Sequence, residues 1–175
     1  MPTALRRRAD APTAYQSRVR KAKGVLDIFL RLPYEFLIPN TLFEEELLKF
    51  TAAQKKDLVR GGLKVMDLPG ERVVRAQQVA RTIPQLSVHD AFAFALAESH
   101  PGCMLLTGDS GLRAFAAQHK MEVHGVLWIL DEIHRCKITT AANLRAALQL
   151  FATDITVRLP RRELAAYIKR YEGMK

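Results

Sequence analysis

Two aspartates, Asp90 and Asp109, have the setting in which carboxylates do chemistry. Asp90 falls in the first turn of a helix signalled by Ala91, Phe92, Phe94, Ala95 and Ala97, with Ser87 as N-cap, and the helix dipole favours a carboxylate there. Asp109 follows the apolar run Cys103-Met104-Leu105-Leu106, which reads as a buried parallel strand bounded by Pro101-Gly102 and Gly108. A helix between two strands makes a right-handed crossover, bringing the start of that helix and the carboxyl end of the strand to one edge of the sheet. Both acids then face one crevice. Carboxylates gathered there can hold one or two hard cations such as Mg²⁺ or Mn²⁺, which activate water and relieve charge on phosphoryl oxygens. Close like charges repel, so without an ion such a cluster is costly or partly protonated. The plainer alternative for each aspartate is N-capping alone.

Three further carboxylates, Glu44, Glu45 and Glu46, stand in a row in a helix whose apolar face runs Leu42, Phe43, Leu47. That face puts Glu45 on the border of the buried side, and the run reads either as a solvated helix face or as part of a site. Thr107 and Ser110 flank the strand end and are placed to orient a ligand or a water. His89 reads either as a solvent-facing neighbour of the cap or as a ligand. Gly108-Asp109-Ser110-Gly111 resembles the nucleophile segment of trypsin-like proteases, but the surrounding pattern is α/β rather than an all-β double barrel. No Gly-x-Gly-x-x-Gly or Walker-type loop follows a strand, so no nucleotide site has motif support.

The elements that must position these residues alternate. Residues 1 to 14 contain Pro2 and Pro12 without apolar periodicity and read as disordered. A helix is expected from Tyr15 to Leu32, then a strand over Phe36-Leu37-Ile38, with Pro39 and a cap at Asn40 or Thr41 opening the helix Leu42 to Phe50. Thr51 to Arg60 is a polar helix closed by Gly61-Gly62, Leu63 to Leu68 a strand, and Glu71 to Arg81 a helix that ends before Pro84. Beyond the aspartates come helix Leu112 to His119, strand Met121 to Val123 and helix Gly125 to Arg135. One further helix runs through Leu144, Leu148 and Phe151, and another follows Pro160 through Leu164, Ile168 and Tyr171. Strands alternating with helices imply a parallel sheet covered on both faces.

At 175 residues the chain is about one domain in length, and no apolar run approaches the roughly 20 residues of a membrane helix. The arginines near the start precede no apolar signal core, so a soluble, cytoplasmic protein is expected. Cys103 and Cys136 give no disulfide framework and lack zinc-site spacing. The net charge of +9 favours polyanionic partners. Most of it lies in residues 1 to 23, where seven arginines and lysines face only Asp10, a stretch that reads either as a solvated tail or as a phosphate-binding arm. The basic carboxyl-terminal helices also raise a DNA-binding regulator, without a turn signature to support it.

Leu86-Ser87-Val88-His89-Asp90-Ala91-Phe92, then Leu105-Leu106-Thr107-Gly108-Asp109, then Val123-His124-Gly125-Val126-Leu127 together resemble the PIN-domain nucleases, the family of the VapC-type toxins. Leu37-Ile38-Pro39 and the glutamate run fit the same pattern, and the match covers roughly Gly24 to Ile133. The resemblance implies a three-layer α/β/α fold with a central parallel sheet. With the disordered basic arm over 1–14, this gives a PIN-like domain over 15–137 and a carboxyl-terminal helical extension over 138–175. It selects Asp90, Asp109 and Glu45, with Glu46 as the alternate to Glu45, as catalytic, metal-holding acids for Mg²⁺ or Mn²⁺. It further implies metal-dependent endoribonuclease activity on RNA, the toxin half of a toxin-antitoxin pair, a protein antitoxin as partner and a homodimer.

One departure stands out. The family begins with a strand that ends in an aspartate central to metal binding, whereas Arg8-Ala9-Asp10-Ala11-Pro12 has no apolar strand before its acid, and Asp27 sits inside the following helix pattern. An irregular or missing first strand is therefore expected. The alternative function is a degenerate PIN fold that binds nucleic acid or a protein without cleaving.

Overall fold

The computed structural model describes residues 2–7, 28–45, 47, 50–83, 85–153 and 159–174. The chain forms two compact units, Met1–Gly125 and Val126–Lys175. In the first, β1 (Thr3–Arg7) is followed by β2 (Tyr34–Pro39), α1 (Asn40–Glu45), α2 (Ala52–Arg60), β3 (Leu63–Met66), α3 (Gly70–Thr82), α4 (Val88–Glu98), β4 (Cys103–Leu106), α5 (Ser110–Gln118) and β5 (Val123–His124). The second holds α6 (Val126–Arg135), α7 (Ala141–Thr153) and α8 (Arg161–Glu172). The division falls before α6, twelve residues ahead of the expected start of a helical extension at 138. No helix among the described residues is long and apolar enough to cross a membrane.

The five strands form one sheet in the order β3-β2-β1-β4-β5. Pairing is parallel between β2 and β3 and between β4 and β5, as the α/β pattern requires. The centre differs from a wholly parallel sheet, because β1 runs antiparallel to both its neighbours. Four strands thus share a direction and end at one edge, and β1 runs back between them with Thr3, its first residue, opposite Leu106 at that edge.

A strand at Thr3–Arg7 also replaces the disorder expected there. Only Ala4 and Leu5 are apolar, too few to give a period, yet both are fully buried and Thr3 nearly so. Pairing on both sides supplies what local pattern lacks: Leu5 stands opposite Phe36 on one flank and Met104 on the other. Arg6 and Arg7 emerge exposed at the far end, which lets a basic segment finish a buried strand. Residues 8–14 and all but the end of the Tyr15–Leu32 helix lie outside the described residues, as do Glu46, Asp10 and Asp27.

Helix α4 is the spine of the first unit, touching β1, β2 and β4 as well as α1, α3 and α5. Its Ala91, Ala93, Phe94, Ala95, Leu96 and Ala97 are buried, so it is apolar nearly all round, and its alanines let the sheet approach closely. Phe94 lies 4.8 Å from the Phe115 ring of α5, which joins the two helices. Helix α3 is fastened along α4 by a two-pronged ion pair, Arg75 Nε and Nη2 donating to Glu98 Oε2 and Oε1 at 2.9 and 2.8 Å. Helix α2 carries a reciprocal Thr51–Gln54 capping box and packs by β3.

In the second unit Asp131 of α6 is the hub. It accepts hydrogen bonds from Tyr167 Oη at 2.8 Å and Tyr171 Oη at 3.1 Å, and from Arg170 Nη2. Burial pushes both tyrosine hydroxyls above their ordinary pKa, so they remain donors to the carboxylate. The nearly buried Glu132 is satisfied by Arg135 through two bonds of 2.9 and 2.7 Å.

Candidate active site

The sheet edge where β2, β3, β4 and β5 end is where the expected site residues lie. Ser87 caps α4: its Oγ accepts the Asp90 N–H at 3.0 Å, while Asp90 Oδ2 accepts the Ser87 N–H at 3.2 Å and the Ser87 hydroxyl at 2.7 Å. The box is the one that Ser-x-x-acid spacing encodes. Asp109 is itself the N-cap of α5, its Oδ1 accepting the Leu112 N–H at 2.7 Å. The buried Thr107 hydroxyl accepts the Asp109 N–H at 3.1 Å, so it fixes the turn that presents this carboxylate. Ser110 is exposed as the first residue of α5.

The approach to α4 and the first turn of α5 are neighbours at Gly111. A methyl group built on Gly111 would lie 3.3 Å from Asp109 Oδ1 and 3.6 Å from Leu86 Cδ2, so Leu86, just before the α4 cap, lies against the turn carrying Asp109. Glu45, the last residue of α1, reaches the same place from β2. Its Oε2 lies 2.8 Å from Nε2 of His89, the residue beside Asp90. Asp90 and Asp109 lie at one edge of the sheet, and Glu45 is hydrogen-bonded to the helix that carries Asp90.

The capping alternative is also real, since each aspartate commits one oxygen to its own helix. Asp90 Oδ1 and Asp109 Oδ2 make no hydrogen bond among the described residues.

One residue at this edge is new to the site and another differs from its expected role. Arg113, one turn along α5 from Asp109, brings its Nη1 to 3.1 Å from the Cβ position of Gly125, the residue after β5. Its i+4 spacing from Asp109 was the available signal. Thr41, expected as a possible cap of the next helix, does not cap: its buried Oγ1 has no hydrogen-bond partner among the described residues. Only tertiary burial reveals it.

A family model described as a PIN domain matches residues 21–173. The chain belongs to the PIN-domain family. No curated protein and no solved structure matches it. The match spans both compact units, so α6, α7 and α8 belong to the family's extent, while β1 precedes the matched residues. The PIN fold is a nuclease-type fold, and PIN domains generally use divalent metal ions.

Whether this PIN domain suits such an ion is decided by its donors. Among the described residues no group of three or more His, Cys, Asp or Glu is placed to hold a metal ion, so they form no closed protein cage. Magnesium, however, is ordinarily held by one or two carboxylates with water and substrate phosphate completing its shell. Oδ1 of Asp90 and Oδ2 of Asp109 fit that donor chemistry, being hard oxygens at one sheet edge.

Proposed function

We propose that this PIN domain is a metal-dependent endoribonuclease, hydrolysing RNA phosphodiester bonds, and the toxin component of a type II toxin-antitoxin pair. The observation that carries the reading is that Asp90 in the first turn of α4 and Asp109 at the cap of α5 lie at one sheet edge, with Leu86 beside Gly111 linking the two turns. A bound Mg²⁺ or Mn²⁺ would neutralise phosphoryl charge and make water a stronger nucleophile. The chain's own contributions are separable. Asp90 and Asp109, with Glu45 as the third acid, would hold the ion, and capping engages one oxygen of each of the first two. Thr107 fixes the Asp109 turn. Arg113 offers a planar guanidinium to the RNA backbone at the end of β5. A protein antitoxin covering the acidic crevice and association into a homodimer complete the reading.

The test is cleavage of a mixed RNA substrate in Mn²⁺ by the wild type and by Asp90→Asn and Asp109→Asn. Asparagine keeps the capping geometry and removes the charge. Loss of cleavage in folded variants supports the assignment, and undiminished cleavage refutes it.

A second reading is favoured by one specific observation. With β1 reversed, the central place at the edge is held by Thr3 rather than by an acid. A PIN fold without that acid would bind nucleic acid or a protein partner and not cleave. Calorimetric titration with Mn²⁺ separates the two, since binding that depends on Asp109 belongs to the nuclease.

A further inference from the structure

We propose that His89 is a positioning residue, holding the Glu45 carboxylate over the first turn of α4 as the third acid of the site. The inference rests on the nuclease reading and deepens it.

Glu45 closes a six-residue helix and its side chain is 64% exposed, so by itself it would sample many rotamers in water. Burial does not fix it. The contact within hydrogen-bond reach that ties it to the rest of the edge is His89 Nε2, at 2.8 Å from Oε2. A carboxylate has no hydrogen to give, so Nε2 carries the proton and donates. The imidazole is itself well held: its side chain is 27% exposed, and the Ser87–Asp90 box locks the turn from which it projects. A preorganised donor therefore sets the place of a floppy acceptor. The place matters, because α1 leaves the carboxyl end of β2 while α4 starts beside the Asp109 turn, and His89 is the hydrogen-bonded bridge between them. Through it Glu45 is tied to the turn that carries Asp90, with Oε2 engaged by His89. Outer partners of ligating groups typically alter metal affinity by about 10- to 100-fold when removed.

Mn²⁺ binding by isothermal titration calorimetry on the full chain tests this, with the wild type, His89→Ala, His89→Gln, Glu45→Gln, the double variant and Asp109→Asn. His89→Ala is expected to weaken Mn²⁺ binding by about tenfold. His89→Gln, whose amide nitrogen can replace the Nε2 donor, recovers most of that loss. The double variant is no weaker than Glu45→Gln alone, because His89 acts through Glu45. In cleavage assays at saturating Mn²⁺ the KM for RNA stays unchanged, whereas a histidine that gripped RNA directly would raise it. Melting curves confirm that each variant is folded. Wild-type affinity in His89→Ala, with binding lost in Asp109→Asn, overturns the positioning role and leaves the nuclease reading standing. Wild-type affinity in Asp109→Asn, or no Mn²⁺ binding by the wild type, overturns both.

Discussion

Leu5 of β1 stands directly opposite Met104 of β4, and neither side chain is more than 2% exposed. This pairing makes the start of the chain part of the core. Leu5→Ala is therefore expected to cost about 2–5 kcal/mol, the range for truncating a buried leucine. Urea denaturation checks it, and a loss below about 0.5 kcal/mol would show that the segment does not dock.

The two functions of Asp109 can be separated by chemistry. Asp109→Ala removes the acceptor for the Leu112 N–H and is expected to lower stability by about 1 kcal/mol, while Asp109→Asn stays within a few tenths. Both should lose metal-dependent cleavage. Thermal melts and an RNA assay on the same preparations give the result, and a stable, active Asp109→Asn would leave only the cap.

The Arg75–Glu98 pair gives acid sensitivity of known sign. Its hydrogen bonds hold the Glu98 carboxyl below its ordinary value and raise that of Arg75, with burial opposing each shift. Because the folded pKa of Glu98 is depressed, the stabilisation is fully present above the unfolded glutamate pKa and is lost as pH falls through the folded one. Glu98→Gln should flatten the decline in stability below about pH 4.5. An unchanged acid limb in urea titrations at successive pH values would sink this assignment.

Gly61, at the end of α2, is required for space rather than for an unusual backbone angle. A methyl group there would come within 2.8 Å of Leu30 Cδ1, and Leu30 is buried. Gly61→Ala is expected to destabilise by about 1–3 kcal/mol, outweighing the alanine's backbone advantage. Pairing it with Leu30→Val should recover part of the loss if the clash is the cause.

The parts legible in the sequence were those with local causes. Ser87 announces the cap of α4 and Asp90 its first turn, and the run from Cys103 to Leu106 announces β4 by its apolarity and bounding glycines. Both appear within a residue or two of their expected limits. What stayed hidden had non-local causes. Thr3-Ala4-Leu5-Arg6-Arg7 has no period of its own and becomes a strand by fitting between β2 and β4. His89 could not be told from a solvent-facing histidine, because its partner Glu45 is 44 residues away. The departure from the family's opening pattern was visible, but a central strand at Thr3–Arg7 running antiparallel to both neighbours was not.

The reversed β1 also dictates an order of events during synthesis. Its ladder with β2 spans about thirty residues, whereas its ladder with β4 joins positions about a hundred residues apart, and such distant pairings close slowly. Residues 3–7 leave the ribosome well before β4, and one side of their strand stays unpaired until about a hundred further residues have followed. Through that interval the nascent protein carries a naked backbone edge, the kind of surface on which neighbouring chains add. A helper that shields it, or rapid translation through β4, would decide how much of the protein reaches its native form.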